Sequence, residues 1–167
     1  VERLNGTIDT ADESTCPDTL VLNIPAGNYI YSVNVAYNIT AYGQVWTSDT
    51  RSYVECVTTN KKEPAVFAGL INTAGTESFV RTNLNFTTGV TAVGQLKFVL
   101  HTFRNFGPPG CDSTNAKVVK NTFTVSVVHG VAPTCFPPTN LAVNWTMSNK
   151  AQLSWTTGGA TAWQIEY

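Results

Sequence analysis

The stretch that decides the fold is Tyr29-Ile30-Tyr31-Ser32-Val33-Asn34-Val35-Ala36-Tyr37-Asn38-Ile39-Thr40-Ala41. Its odd positions from Tyr29 to Ile39 are all Tyr, Val or Ile, while most even positions are Ser, Asn or Thr. Successive side chains on a strand point to opposite faces, so this period of two predicts a strand with one dry and one wet face. A shorter alternation precedes it, with Leu20, Leu22 and Ile24 on one face, and Pro25-Ala26-Gly27-Asn28 supplies turn chemistry between the two. Further along, residues 52–58, 78–86, 95–103 and 120–128 read as strands. In the last of these Phe123, Val125 and Val127 face inward and Thr122, Thr124 and Ser126 outward. Gly69, Gly75, Gly89, Gly94 and the Gly107-Pro108-Pro109-Gly110 loop separate them. Six or more such strands, with almost no helix signal, predict an all-β fold: an antiparallel two-sheet sandwich, jelly-roll-like, with a closed barrel as the alternative.

Composition points the same way. Thr (25) and Val (19) make 44 of 167 residues, and β-branched side chains suit a pleated sheet. Ten basic against eleven acidic residues leave no basic surplus to neutralise phosphates, which argues against nucleic acid as a partner. No apolar run approaches the roughly 18 residues of a membrane helix, so membrane insertion is not expected. At 43 % hydrophobic residues the chain is not disordered by composition. It begins at Val1 without a basic and apolar leader, so the expectation is a processed export or a piece of a longer polypeptide.

The texture changes at Gly130. Residues 132–138 hold three Pro and no strand period, and read as a stiff linker. After it come three short alternating segments, around Leu141-Ala142-Val143, Ala151-Gln152-Leu153-Ser154-Trp155 and Trp163-Gln164-Ile165-Glu166-Tyr167. Thr157-Gly158-Gly159-Ala160 turns the second into the third. The expected organisation is a sandwich over 1–131, a Pro-rich linker over 132–138 and a partial domain over 139–167.

Four Cys, at 16, 56, 111 and 135, are too widely spaced for a zinc knuckle and allow three pairings. Cys56 and Cys111 each border a strand-like segment, so a bridge between them is the first choice. Cys16 with Cys135 would then tie the start of the domain to its end. Four reduced, buried thiols are the alternative.

Two resemblances follow from particular residues. Pro138 ahead of Leu141, Leu153 and Trp155 in the next segment, and Trp163, Ile165 and Tyr167 in the third resemble the opening of a fibronectin type III domain. That implies a partial β-sandwich whose remaining strands come from elsewhere; otherwise these segments add strands to the first domain. The first part carries Trp46-Thr47-Ser48-Asp49-Thr50-Arg51-Ser52 leading into Glu55-Cys56, then Gly75-Thr76 and Phe98-Val99-Leu100-His101-Thr102-Phe103-Arg104. Gly110-Cys111-Asp112-Ser113-Thr114 and Asn121-Thr122-Phe123-Thr124-Val125 complete the pattern. It resembles a module repeated in very large exported proteins of the Bacteroidetes. The resemblance implies type IX secretion, an extracellular or cell-surface location, and no residue-level activity.

Candidate chemistry is sparse. His101 and Arg104 sit near a strand end, and Arg104 with Arg51 and Asp49 reads as a buried ion pair that stitches loops between the sheets. The eleven carboxylates are scattered, and no pair is marked for acid–base work, so no enzyme activity, cofactor or metal is expected. Asp9-Thr10-Ala11-Asp12-Glu13, the one acidic cluster, reads as a solvated segment and not as a calcium site. Sugars are bound by aromatic faces with planar polar groups beside them, and Trp46, Tyr42, Tyr53, Arg51 and Asn105 would supply such a patch at one end of the sandwich. The competing reading puts Trp46 in the core. Sequons at Asn5, Asn38, Asn85 and Asn144 are no more than this Asn-, Ser- and Thr-rich composition supplies by chance. Thr10, Thr19 and Ser113, each after an Asp, resemble sites at which Bacteroidetes O-glycosylate exported proteins.

The expected function is a non-enzymatic extracellular module of a large secreted or cell-surface protein, an adhesin or filament element whose partners are neighbouring modules. The alternative is a carbohydrate-binding accessory module of a secreted hydrolase, with surface glycans as partners. A third possibility is a fibre subunit that receives strands from a neighbour.

Overall fold

A computed structural model describes residues 2–3, 16–111 and 113–165. Asn5, Thr10, the cluster at 9–13, Asp112, and Glu166 and Tyr167 of the expected last strand lie outside the described residues. The chain divides into two compact units, Val1–Val131 and Ala132–Tyr167. The strands of the first are β1 (Glu2–Arg3), β2 (Asp18–Asn23), β3 (Tyr29–Ala41), β4 (Thr50–Cys56), β5 (Lys61–Lys62), β6 (Phe67–Ala68), β7 (Gly75–Leu84), β8 (Gln95–Arg104), β9 (Gly110–Cys111), β10 (Ala116–Val118) and β11 (Thr124–Gly130). The second unit holds β12 (Thr139–Met147) and β13 (Lys150–Thr156). Among the described residues the helical elements are two single 3-10 turns, Thr47–Asp49 and Val57–Thr59.

In the first unit β8 lies between β2 and β4 in one sheet, and β3 lies between β7 and the β10–β11 side in a second. All these pairs are antiparallel. Taken in chain order, β2, β3, β4, β7, β8 and β11 alternate strictly between the two sheets. The result is an all-β, jelly-roll-like sandwich and not a closed barrel. Pro25-Ala26-Gly27-Asn28 is therefore an arch from sheet to sheet, because β2 pairs with β8 and β3 with β7 and β11.

The inner faces meet as one apolar core. Val33, Val35, Tyr37, Ile39 and Ala41 of β3 face Leu96, Phe98 and Leu100 of β8, with Val54, Phe79 and Val125 around them. Tyr37 stacks on Phe79 at 5.1 Å and meets Phe123 edge-on at 6.4 Å. Each large side chain so buried contributes about 1.5–3 kcal/mol. Two expectations change. At the start of β3 the inward residue is Ile30, and Tyr31 is exposed. Ser32 pairs with Val128 and Ile30 with His129, so Tyr31 is the extra residue of a bulge that flips the alternation. The outer face of β8 is also dry at its end, where Val99, His101 and Phe103 are buried and Phe103 packs with Tyr53 and Val66.

One lateral side of the sandwich is closed by a polar group of residues. Residues 63–66 run between β5 and β6 along the edge of β4. Glu63, 1 % exposed, accepts from Arg81 Nε at 2.7 Å, Arg81 Nη2 at 3.0 Å and the Val54 amide at 2.7 Å. Arg81 Nη1 donates to the Tyr37 hydroxyl at 2.8 Å, and Tyr37 is bonded in turn to Ser52. The guanidinium also lies over the Phe67 ring at 4.3 Å. Burial alone would lower the pKa of Arg81, but the Glu63 bonds and charge outweigh it and hold it above the ordinary value.

The cysteines depart from the expected pairing. Cys16 bridges to Cys111 with the Cα atoms 6.0 Å apart, so neither Cys56–Cys111 nor Cys16–Cys135 forms. The reason is topological. Cys56 ends β4 on one side of β8, while β2 and β1 run along its other side and β1 carries β9. Cys111 in β9 is therefore within reach of Cys16 ahead of β2. Alternation along β4 turns the Cys56 thiol into the core, where it is buried and free, and Cys135 is exposed and free.

In the second unit β12 and β13 form an antiparallel hairpin with two register shifts. The third expected strand does not form over its described residues, 163–165. Trp163 instead meets Trp155 edge-on at 5.7 Å, and with Pro138, Leu141, Leu153 and Ile165 it lines an apolar groove. The end of the Pro-rich segment belongs to this unit, since the Phe136 amide donates to the Gly158 carbonyl at 2.6 Å.

Arg81→Met or Glu63→Gln alone leaves a buried charge without its partner and will cost about 3–5 kcal/mol. The double variant will recover part of that loss in urea titrations, and single variants within experimental error of wild type would refute this role. Burial also pushes the Cys56 thiol above its ordinary 9.0 and the Tyr37 phenol above its ordinary 10.0. Both groups hold their protons more tightly folded than unfolded, so their contribution is complete below pH 9.0 and is lost as pH rises beyond it. Melting temperature should fall above that pH, and Cys56→Ala should remove the earlier part of the fall.

Candidate functional site

Three loops meet at one end of the first unit: residues 42–49, 69–73 and 105–110. The 3-10 turn Thr47–Asp49 is the hub. The Thr47 amide donates to the Thr73 carbonyl and the Ser48 amide to the Ile71 carbonyl, both at 3.1 Å. The Thr47 hydroxyl adds a second bond to the Ile71 carbonyl at 2.9 Å. Gly69 passes so close to Thr47 that a Cβ there would collide with the Thr47 carbonyl. The Leu70 amide is held by the Glu77 carboxylate at 3.0 Å. On the other side the Asn105 amide donates to the Asp49 carbonyl at 3.1 Å, and the Asp49 carboxylate accepts from the Trp46 amide at 2.9 Å. Tyr42 joins through its amide, which donates to the Asn115 carbonyl at 2.8 Å.

The third loop is wrapped around a buried cation. Arg104, fully enclosed, donates from Nη1 to the Phe106 carbonyl at 2.6 Å and from Nη2 to the Pro108 carbonyl at 2.7 Å. Gly107 has φ +88°, and a Cβ there would stand 2.8 Å from Nη1 and 2.9 Å from Val45 Cγ2. A left-handed backbone and this close approach both require glycine. Just beyond, Cys111 is tied covalently to Cys16.

These constraints hold apolar side chains out in water. Trp46 is 46 % exposed, Leu70 81 %, Ile71 47 % and Phe106 49 %. Beside them lies a cleft of about 430 Å³ lined by Gln44, Val45, Phe106, Gly107, Pro108 and Asn115.

Of the five residues expected to form a binding patch, three stand at this end. Trp46 is exposed and not in the core, Asn105 is exposed, and Tyr42 is half-buried under Lys117 Nζ at 5.2 Å. Arg51 points its guanidinium into the loop, donating to the carbonyls of Ser48 at 2.6 Å and Thr50 at 2.8 Å. Tyr53 is buried on the outer face of β4, stacked on His101 at 4.6 Å. His101 is buried as well, its Nε2 paired with the Glu55 carboxylate at 2.9 Å. Thr19 and Ser113 are exposed. Among the described residues no three His, Cys, Asp or Glu side chains converge to hold a metal ion.

Gln44, Leu70, Ile71, Phe106 and Asn115 were not singled out from the sequence. A signal existed for Phe106, which precedes Gly-Pro-Pro-Gly and so has no strand face to hide on. Leu70 and Ile71 carried none, because their exposure depends on Gly69 fitting against Thr47.

Compared with protein-family models, curated proteins and solved structures, the chain matches none of them. The class it defines by itself is a disulfide-bridged all-β sandwich with a rigid, apolar loop end. The disulfide points to an oxidising compartment outside the cytoplasm.

Reduction provides the test of the anchor. Opening Cys16–Cys111, which spans 95 residues, should lower stability by about 4–5 kcal/mol. Amide exchange should rise first at 105–111. Before unfolding, a thiol reagent should label Cys135 and leave Cys56 unmodified; labelling of Cys56 in the native state would contradict its enclosure.

Proposed function

We propose that the chain is a non-enzymatic extracellular module of a larger secreted or cell-surface protein, acting as an adhesin or filament element. The observation that carries this reading is the loop end. Four large apolar side chains, Trp46, Leu70, Ile71 and Phe106, are held in water on three loops braced by hydrogen bonds, an enclosed arginine and a disulfide. Exposed apolar groups on a rigid support favour contact with a partner, since little ordering entropy is lost on binding. The groups that chemistry would draw on have structural duties: His101 with Glu55, Glu63 with Arg81, and Arg104 with two carbonyls. The disulfide suits the exterior, and the resemblance to Bacteroidetes surface modules extends the reading to type IX secretion and to a following fibronectin type III-like part. Neighbouring modules have a contact surface in the second unit, where Leu141, Val143 and Met147 are exposed.

Beads coated with the full chain should be retained on surfaces bearing glycans or matrix proteins more strongly than inert beads. Leu70→Ser with Ile71→Ser should reduce retention without changing the melting temperature. Retention no better than inert beads on every surface would remove the adhesive reading. Concentration-dependent size exclusion would move it towards a filament subunit.

A further inference from the structure

We infer that the cleft between residues 44–45 and 106–108 takes an uncharged saccharide, with Phe106 as the stacking platform and Gln44 and Asn115 as hydrogen-bonding groups. The inference rests on the adhesive reading and names the ligand of its loop end. Its first support is the chemistry of the lining. The side chains that line the cleft are Gln44, Val45, Phe106, Pro108 and Asn115, with Gly107 adding backbone, and none is charged. Of the charged groups nearby, Arg104 is turned onto the carbonyls of Phe106 and Pro108, Arg51 onto those of Ser48 and Thr50, and Asp49 onto the Trp46 amide, while the exposed Lys117 lies over the Tyr42 ring, outside the lining. The lining itself offers a phosphate, sulfate or carboxylate no counter-charge. It offers a neutral ligand an apolar face and planar amides.

A pyranose has that complementary form, with an apolar C–H face that stacks on an aromatic ring and hydroxyls around its edge that pair with amides. The volume of about 430 Å³ falls within the range of small-molecule sites. Preorganisation is the second support. The Phe106 backbone is fixed by Arg104, and Gly107 admits no side chain. An aromatic platform on a backbone fixed before binding costs little to order when a weakly held ligand such as a sugar arrives.

The test uses the full chain on an array of neutral oligosaccharides (α- and β-linked glucans, mannans, xylans and chitin fragments) beside sialylated and sulfated glycans, followed by titration calorimetry. Binding to one or more neutral glycans is expected. Phe106→Ala and Gln44→Ala should each weaken it by about tenfold or more. The melting temperatures of both variants should be unchanged. Binding confined to charged glycans, or neutral-glycan binding unaffected by Phe106→Ala and Gln44→Ala, would overturn the inference. Silence across the array would also overturn it. If the same beads still adhere to matrix proteins through Leu70 and Ile71, the adhesive reading stands while the saccharide is lost. Silence in both assays removes both.

Discussion

The buried pair of Arg81 and Glu63 is the constraint on which the sandwich depends. Two small sheets packed face to face leave lateral sides where inner-face side chains would meet water. On the β4–β7 side this structure places a guanidinium there and then satisfies it, with a carboxylate from the 63–66 segment, the Tyr37 hydroxyl and the face of Phe67. A charge taken out of water is costly unless its partners are fixed in place. Fixing Glu63 also fixes the segment that carries Val66 over Tyr53 and Phe103, and so dries the outer face of β8. The same pair bears on the register of β3, since Tyr37 is bonded to both Arg81 and Ser52.

The loop end depends on a second arginine used differently. Arg104 donates to two carbonyl oxygens, and its charge organises backbone. One cation thus seals an edge and another shapes a surface. Neither is presented to solvent.

Much of this was legible in the residues. Alternation from Val33 to Ala41 identified the dry face of β3, and Phe123, Val125 and Val127 did so ahead of and along β11, because burial on a strand follows the period of two. The bulge at Tyr31 was not legible, for it arises from how β11 pairs with β3 and from the Tyr31 hydroxyl donating to the Val131 carbonyl at 2.6 Å. The disulfide was misread for a similar reason. Cys56 and Cys16 are both near strand ends in sequence, and only the order of strands around β8 decides which one Cys111 can reach. At the site, Trp46 and Asn105 were recognisable as exposed candidates from their loops. Tyr53 looked equivalent by composition but lies on a strand face that a distant segment covers.

The strict alternation of long strands between sheets has a further consequence, and it concerns time. No long strand of the first unit pairs with the long strand that follows it, so no local hairpin among them can serve as a nucleus. Leu22 must wait for Leu96, Val35 for Val125, and Cys16 for Cys111. Folding dominated by such distant partners is slow, because loop closure is unfavourable before any contact repays it. The hairpin β12–β13, by contrast, joins neighbours across a tight turn. As the chain is made, β3 and β7 can pair early, but β2 and β4 emerge before β8, the strand that lies between them, and their sheet waits for it.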